Sequence, residues 1–340
     1  MSYSTPSQVV ARQLDYFEGK HVLLAGELED TFATELCDTA ASVSVFTTNL
    51  AFANKMASYS AVNTYFGAEY PENKNIDLVL LYWPKAKAEA EYLLAMLMDR
   101  CASHCEICVV GENRSGVKSI EKMFAPYGKV TKFDSARRCS FYWGQCQQVP
   151  NPFSKQDWFK SYPLSLGETS LTIRALPGVF SQNELDVGSR LLLDNLPKIK
   201  GKVLDFGCGA GVIGAVIKSR FADADIHMVD VSALAVASAE ETLRFNEIDG
   251  TVSASDVYSS VSDSFDFIVS NPPFHAGLKT YYAATETFIK DAPSYLTTKG
   301  QITIVANSFL RYPPLIEAAL GECNVTAKTS KFAIYQAQKM

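Results

Sequence analysis

The chain has 340 residues, 47% of them hydrophobic and 20% charged, with a net charge of −6. This composition fits a globular protein of about two domains and excludes one that coats nucleic acid without selectivity, which must be basic. No apolar run approaches the roughly 20 residues of a membrane span. No basic-then-apolar secretory leader opens the chain, and the eight scattered cysteines form no disulfide framework, so a cytoplasmic protein is expected.

In chain order, the first half carries apolar runs at His21 to Asp30 (HVLLAGELED), Ile76 to Ala86 (IDLVLLYWPKA), Glu106 to Gly116 (EICVVGENRSG) and Lys129 to Gln145 (KVTKFDSARRCSFYWGQ), with a helix expected over Ala86 to Arg100. Cys101, Cys105 and Cys108 have the C-x₃-C-x₂-C spacing of an iron–sulfur ligand set. They divide between a helix end and a strand interior, so no metal is expected. Two basic, aromatic patches are candidates for local nucleic-acid contact. One holds Lys129, Lys132, Arg137 and Arg138 beside Phe133, Phe141, Tyr142 and Trp143. The other holds Lys155, Trp158, Phe159, Lys160 and Tyr162. A solvated strand edge and a connection between domains are the plainer readings. The domain boundary is expected near Pro150 to Tyr162, giving a first domain at 1–150, a linker at 151–170 and a second domain at 171–340.

The second half alternates more clearly. Strands are expected at Lys202 to Asp205, Asp225 to Asp230, Thr251 to Ser255, Phe265 to Ser270 and Gln301 to Ala306. Helices are expected at Ala210 to Arg220, Ser232 to Phe245 with Ser232 as N-cap, and Tyr312 to Leu320, with a closing hairpin at 325–328 and 332–336. Strands alternating with helices predict a doubly wound, mostly parallel sheet. The first half repeats this order, so the chain reads as a duplication. The copies differ at the loops. The first has only Gly26 where the second has Gly207, Gly209 and Gly211, and Leu81-Tyr82-Trp83-Pro84 where the second has Asn271-Pro272-Pro273-Phe274. The first copy is therefore expected to be degenerate, keeping the fold without a ligand site.

Asp205-Phe-Gly207-Cys-Gly209-Ala-Gly211 follows a strand and opens a helix, the position of a nucleotide-binding turn. Gly209 to Gly214 also fits G-x-G-x-x-G, the dinucleotide fingerprint, so a nicotinamide oxidoreductase is one reading. A carboxylate at Asp205 repels a diphosphate and suits the cationic methionine end of S-adenosylmethionine. Asp230, ending the next strand, suits ribose hydroxyls with either cofactor, with Val231 beside it. Asp256 is expected either to accept from an adenine amino group or to serve as a turn residue. Asp186-Val-Gly188-Ser189 is expected to be either a lid or cofactor contact, or the N-cap of a following helix.

The stretch Asn271-Pro272-Pro273-Phe274-His275 leaves a buried strand into a stiff loop. Prolines fix φ, so the Asn271 side-chain carbonyl and the Pro272 main-chain carbonyl present two rigid acceptors, which suit a planar –NH₂. Phe274 offers a stacking face for a base. Asn271, Pro272 and Phe274 are the expected catalytic residues. Asp205, Gly207, Gly209, Gly211, Asp230, Val231, Asp256 and Asn271 are the expected cofactor contacts, and Pro273, Phe274 and His275 the substrate contacts.

DFGCGAG (Asp205 to Gly211) followed by NPPFH (Asn271 to His275) resembles class I methyltransferases acting on amino groups. With the two-copy plan, and with YWPK (82–85), VVGENRSGV (109–117), LPGVFS (176–181), LDVGSRLLL (185–193) and IVANSFL (304–310), the chain resembles the bacterial RsmC family over nearly its whole length. The resemblance implies two tandem Rossmann-like domains with seven-stranded, mostly parallel sheets and helices on both faces. It implies methyl transfer from S-adenosylmethionine to the N2 amino group of a guanosine in 16S ribosomal RNA, on the assembled 30S subunit. It also implies cofactor contacts for Asp205, Gly207, Asp230 and Asp256 and guanine contacts for Asn271 and Phe274. A monomer is expected. His275-Ala-Gly277 is shared in type with a sister group acting on large-subunit 23S RNA, which stands as the alternative. Methyltransferases for protein glutamine or DNA adenine are more distant rivals with similar loops.

Overall fold

A computed structural model of the chain describes residues 3–101, 103–272 and 279–340, with backbone only for 279–282. The chain divides between Trp158 and Phe159 into two compact units.

In the first unit, β1 (His21–Gly26), β2 (Ser42–Thr47), β3 (Val62–Phe66), β4 (Leu78–Tyr82), β5 (Glu106–Glu112), β6 (Gly128–Ala136) and β7 (Cys139–Cys146) form one sheet in the order β3-β2-β1-β4-β5-β7-β6. Its helices are α1 (Thr5–Val10), α2 (Ala33–Leu36), α3 (Leu50–Met56), α4 (Lys87–Arg100) and α5 (Ile120–Met123). The second unit opens with β8 (Lys160–Leu166) and β9 (Thr169–Ala175), an antiparallel pair. Then come β10 (Gly201–Phe206), β11 (Ala224–Asp230), β12 (Thr251–Ala254), β13 (Phe265–Ser270), β14 (Leu296–Asn307), β15 (Asn324–Lys328) and β16 (Phe332–Gln338), in the order β12-β11-β10-β13-β14-β16-β15. Its helices are α6 (Val187–Asp194), α7 (Val212–Arg220), α8 (Ala233–Phe245), α9 (Lys279–Tyr295) and α10 (Tyr312–Leu320).

With β8 and β9 set aside, the two orders are the same. The central strands pair in parallel, and only β7 and β16 run antiparallel to their neighbours. Parallel neighbours need long crossovers, which the helices supply. Even the register repeats: Val22 faces Leu78 across β1 and β4, as Val203 faces Phe267 across β10 and β13. Each unit has its own apolar core. Leu24, Leu80 and Val110 lie in the first, and Leu204, Ile268 and Ile304 in the second. These strands are buried on both faces and so read as unbroken apolar runs. Among the described residues no helix is long and apolar enough to cross a membrane.

Much of the segment expected as a linker is strand. Leu164, Leu166, Leu171 and Ile173 alternate inward along β8 and β9. The hairpin is held to α8 where the backbone N–H groups of Thr172, Arg174 and Leu176 donate to Asn246 Oδ1 (2.8 Å), Thr242 Oγ1 (3.0 Å) and Ser238 Oγ (2.9 Å).

Candidate active site

In the second sheet the chain leaves β10 toward β11 on one side and returns as β13 on the other. A crevice opens at the carboxyl ends of strands where the order reverses in this way. The glycine turn enters it after β10. Gly207, Gly209 and Gly211 all have left-handed φ, at 70°, 55° and 78°. They serve different neighbours. A Cβ on Gly207 would meet no atom within 4 Å, so this position presents bare backbone to open space. A Cβ on Gly211, the N-cap of α7, would lie 3.0 Å from Ala239 of α8. That glycine lets two helices approach.

Two carboxylates brace the turn from beneath. Asp205 is fully buried, and its Oδ2 accepts from the Gly214 N–H in the first turn of α7 at 2.9 Å, filling one of the donors a helix start leaves open. Its Oδ1 is buried with no partner. Burial raises the Asp205 carboxyl from 3.8 to about 7, against the lowering effect of the Gly214 N–H. Asp230 spans the gap between turn and helix: Oδ2 accepts from Gly209 N–H (3.0 Å) and Oδ1 from Ser232 N–H (2.9 Å). Burial also raises its carboxyl, offset by these two donors and by Val231 N–H. Asp256 is half-buried beyond β12, and its carboxylate has no partner among the described residues. Its backbone carries the local turn, with Ser259 N–H donating to Asp256 O at 3.0 Å.

Asn271 follows β13, whose last residue is tied to the end of β10 by Ser270 Oγ–H donating to Phe206 O at 2.8 Å. The Asn271 side chain is buried. Its Nδ2 donates to Asp186 Oδ2 (3.0 Å) and Ser189 Oγ (2.8 Å), while its Oδ1 is buried and has no partner among the described residues. Asp186 is also the N-cap of α6, its Oδ2 accepting from Ser189 N–H at 2.9 Å. Of the two readings of Asp186 the N-cap is the one these hydrogen bonds match, and the capping oxygen also accepts from Asn271. Pro272 is buried, and the expected Pro273, Phe274 and His275 lie outside the described residues. Sequence reasoning gave no role to Asn307, which ends β14 next to β13 and has a buried, unpartnered Oδ1. The available signal was an amide closing an apolar strand, as at Asn271.

The first unit differs at the matching edge. Ala25 faces Leu81 in the register that sets Phe206 against Ser270, so Gly26 and Tyr82 come where the second unit has Gly207 and Asn271. The Tyr82 ring is buried, with its hydroxyl 2.9 Å from Ser7 Oγ on α1, and Ser7 Oγ–H donates to Asp30 Oδ1 at 3.0 Å. Leu24 stands where the second unit has Asp205. Of the two basic patches, Lys155 pairs with Glu69 (3.2 Å) and Trp158 packs edge-on against Tyr92 (5.5 Å), so these two side chains are part of the first unit's packing. Lys129, Lys132, Phe133, Arg137 and Arg138 are exposed along β6 and its turn, whereas Phe141 and Tyr142 are buried. Cys101, Cys105 and Cys108 are buried thiols.

Residues 170–336 match the methyltransferase small domain family, and residues 7–162 match the methyltransferase small domain N-terminal family. The ribosomal RNA small subunit methyltransferase C of Aliivibrio fischeri (strain ES114) is 58% identical over 339 residues, covering 100% of both chains. The proteins of that name from Photobacterium profundum and Vibrio cholerae (strain N16961) are 55% and 54% identical, covering 100% and 99% of both chains. Among solved structures, the T. thermophilus 16S rRNA N2 G1207 methyltransferase (RsmC), in complex with AdoMet and guanosine, superposes with a TM-score of 0.81 at 23% identity, covering 95% of this chain and 88% of that one. It shares the tandem two-sheet fold. The chain belongs to the ribosomal RNA small subunit methyltransferase C (RsmC) family.

Proposed function

We propose that this protein transfers a methyl group from S-adenosylmethionine to the exocyclic N2 of a guanosine in 16S ribosomal RNA, acting on the 30S subunit as a cytoplasmic monomer. The observation that carries the reading is the Asn271 oxygen. It is a buried acceptor with no partner, on an amide whose other end is fixed, at the sheet edge beside the glycine turn. Full-length identity of 58% to a curated family member supports the same substrate class.

The residues present fit the cofactor. The open face over Gly207 accepts a ligand against bare backbone, and the unpartnered Asp205 oxygen lies beneath that turn as the counter-charge for an ammonium. Asp230, the last residue of β11, and Asp256, two residues past β12, suit ribose hydroxyls and an adenine amino group. Bound there, S-adenosylmethionine supplies an electrophilic methyl group. The protein then has to hold the acceptor amine. That amine is a poor nucleophile because its lone pair is delocalised into the purine ring. A hydrogen bond from it to Asn271 Oδ1, and a second to the Pro272 carbonyl, favour a more tetrahedral nitrogen and fix its direction of attack. With the amine held by these two acceptors, methyl transfer to it would require no strong base, because the surplus proton could leave to water.

The first unit, with Tyr82 and α1 filling the edge that the second unit leaves open, acts as a scaffold or substrate-holding domain without a cofactor. The whole reading is tested by mass spectrometry of ribosomal nucleosides from a deletion strain. Loss of N2-methylguanosine from 16S RNA, restored by the wild-type gene and not by Asn271→Ala, is the expected result. Loss from 23S RNA instead, or loss of methylglutamine, would refute it.

A further inference from the structure

We propose that Asp186 and Ser189 are positioning residues that set which end of the Asn271 amide faces the reaction. This rests on the function proposed above. The two ends of an amide are nearly the same size, so only their partners decide its direction. Asp186 Oδ2 lies 3.0 Å from Asn271 Nδ2. A carboxylate accepts and does not donate, so it selects the –NH₂ end. A reversed amide would set two acceptor oxygens against each other. The Ser189 hydroxyl, 2.8 Å from the same nitrogen, takes the second hydrogen. Both partners come from the start of α6, 82 and 85 residues earlier in the chain.

Two consequences follow for Oδ1. It is turned away from both partners and, among the described residues, left buried without a donor, ready for an incoming N–H. Donation of the –NH₂ to a charged acceptor also polarises the amide, which makes Oδ1 a stronger acceptor. The same Asp186 oxygen accepts from Ser189 N–H at 2.9 Å. Formation of the α6 cap and orientation of the catalytic amide are thus one structural event.

Asp186→Asn separates the two roles. Asparagine caps helices about as well as aspartate, so α6 is retained, but a neutral amide no longer dictates the direction of Asn271. The expected result is a fall in kcat of roughly tenfold to 100-fold, the range for loss of a charge-assisted hydrogen bond, with the Kd for S-adenosylmethionine and the Tm near wild type. Asn271→Asp places two carboxylates together, lowering the Tm of the ligand-free protein and abolishing turnover. Combining D186N with N271D restores a donor–acceptor pair with the roles exchanged. It should recover most of the lost Tm and at least tenfold of kcat over N271D alone. The proposal is overturned if D186N leaves kcat unchanged, if it lowers kcat, cofactor binding and Tm together, or if the double variant is no better than N271D. Failure of the proposed function reads differently: wild-type protein would form no N2-methylguanosine on small subunits, while the Tm coupling in ligand-free protein would still report the pair.

Discussion

Gly207→Ala is a sharp perturbation because the ligand-free protein has room for the added methyl group. A Cβ there meets nothing within 4 Å, so the only cost in the ligand-free state is a left-handed φ of 70°. For alanine that cost is about 1–2 kcal/mol. In a domain of this size it lowers the Tm by roughly 2–8 °C. With cofactor present, the methyl group occupies the space into which the ligand must pack. Overpacking by one methyl group costs about 1–3 kcal/mol, which weakens the Kd roughly 5-fold to 150-fold. Gly211→Ala provides the contrast. It carries a similar φ cost and also overlaps Ala239 at 3.0 Å, so its Tm should fall further, by a comparable overpacking increment. Thermal melts and isothermal titration calorimetry with S-adenosylmethionine read both quantities. Unchanged cofactor affinity in Gly207→Ala would refute the assignment of that open face to the ligand.

Asn271→Ala should lower kcat by about 100-fold to 1000-fold, as loss of one preorganised polar contact at a reacting centre does, with cofactor Kd within a few-fold; a matching loss of cofactor binding would contradict the assignment. Asp205 gives a pH signature. Its folded carboxyl, raised from 3.8 to about 7, holds a proton that the unfolded chain releases. The stability from that uptake is fully present below pH 3.8 and is lost as pH rises through about 7. The Tm of ligand-free protein should therefore fall between pH 5 and pH 8 by a component absent from Asp205→Asn, and identical pH profiles would refute the cause. Calorimetry should find one S-adenosylmethionine per chain, because Tyr82 and Ser7 close the edge of the first sheet; two sites would refute the reading of that unit.

Sequence gave access to whatever is decided locally. Strands β10, β11 and β13 were legible because each is a short apolar run ended by a carboxylate or amide and a turn. Ser232 was legible as an N-cap because capping depends on the next three residues, and its Oγ accepts from Ala235 N–H at 3.4 Å. The β8–β9 hairpin was hidden by Pro163 and by the aromatic, basic character of the preceding segment, although its period-two pattern was present. Helix α9 went unread because its composition is mixed and Pro293 lies within it. The early start of β14 was hidden by the positive φ of Lys299 and an irregular register between Phe265 and Phe267. Within the site, the loop chemistry of Asn271 was readable from its neighbours, but the direction of its amide was not. Asp186, 85 residues away, sets that direction, and only the folded chain brings the two together. The pairing of Lys155 with Glu69 was unreadable for a similar reason, since the two are distant in sequence.

The most direct test of the central claim is a methyl-transfer assay with the purified protein, S-adenosylmethionine and three acceptors: isolated small subunits, isolated large subunits and naked 16S RNA. N2-methylguanosine is expected in the RNA of small subunits, with little on naked RNA, none on large subunits, and loss of the product with Asn271→Ala. Methylation of large subunits in preference to small ones, methylation at another atom of the base, or full activity in Asn271→Ala would contradict it.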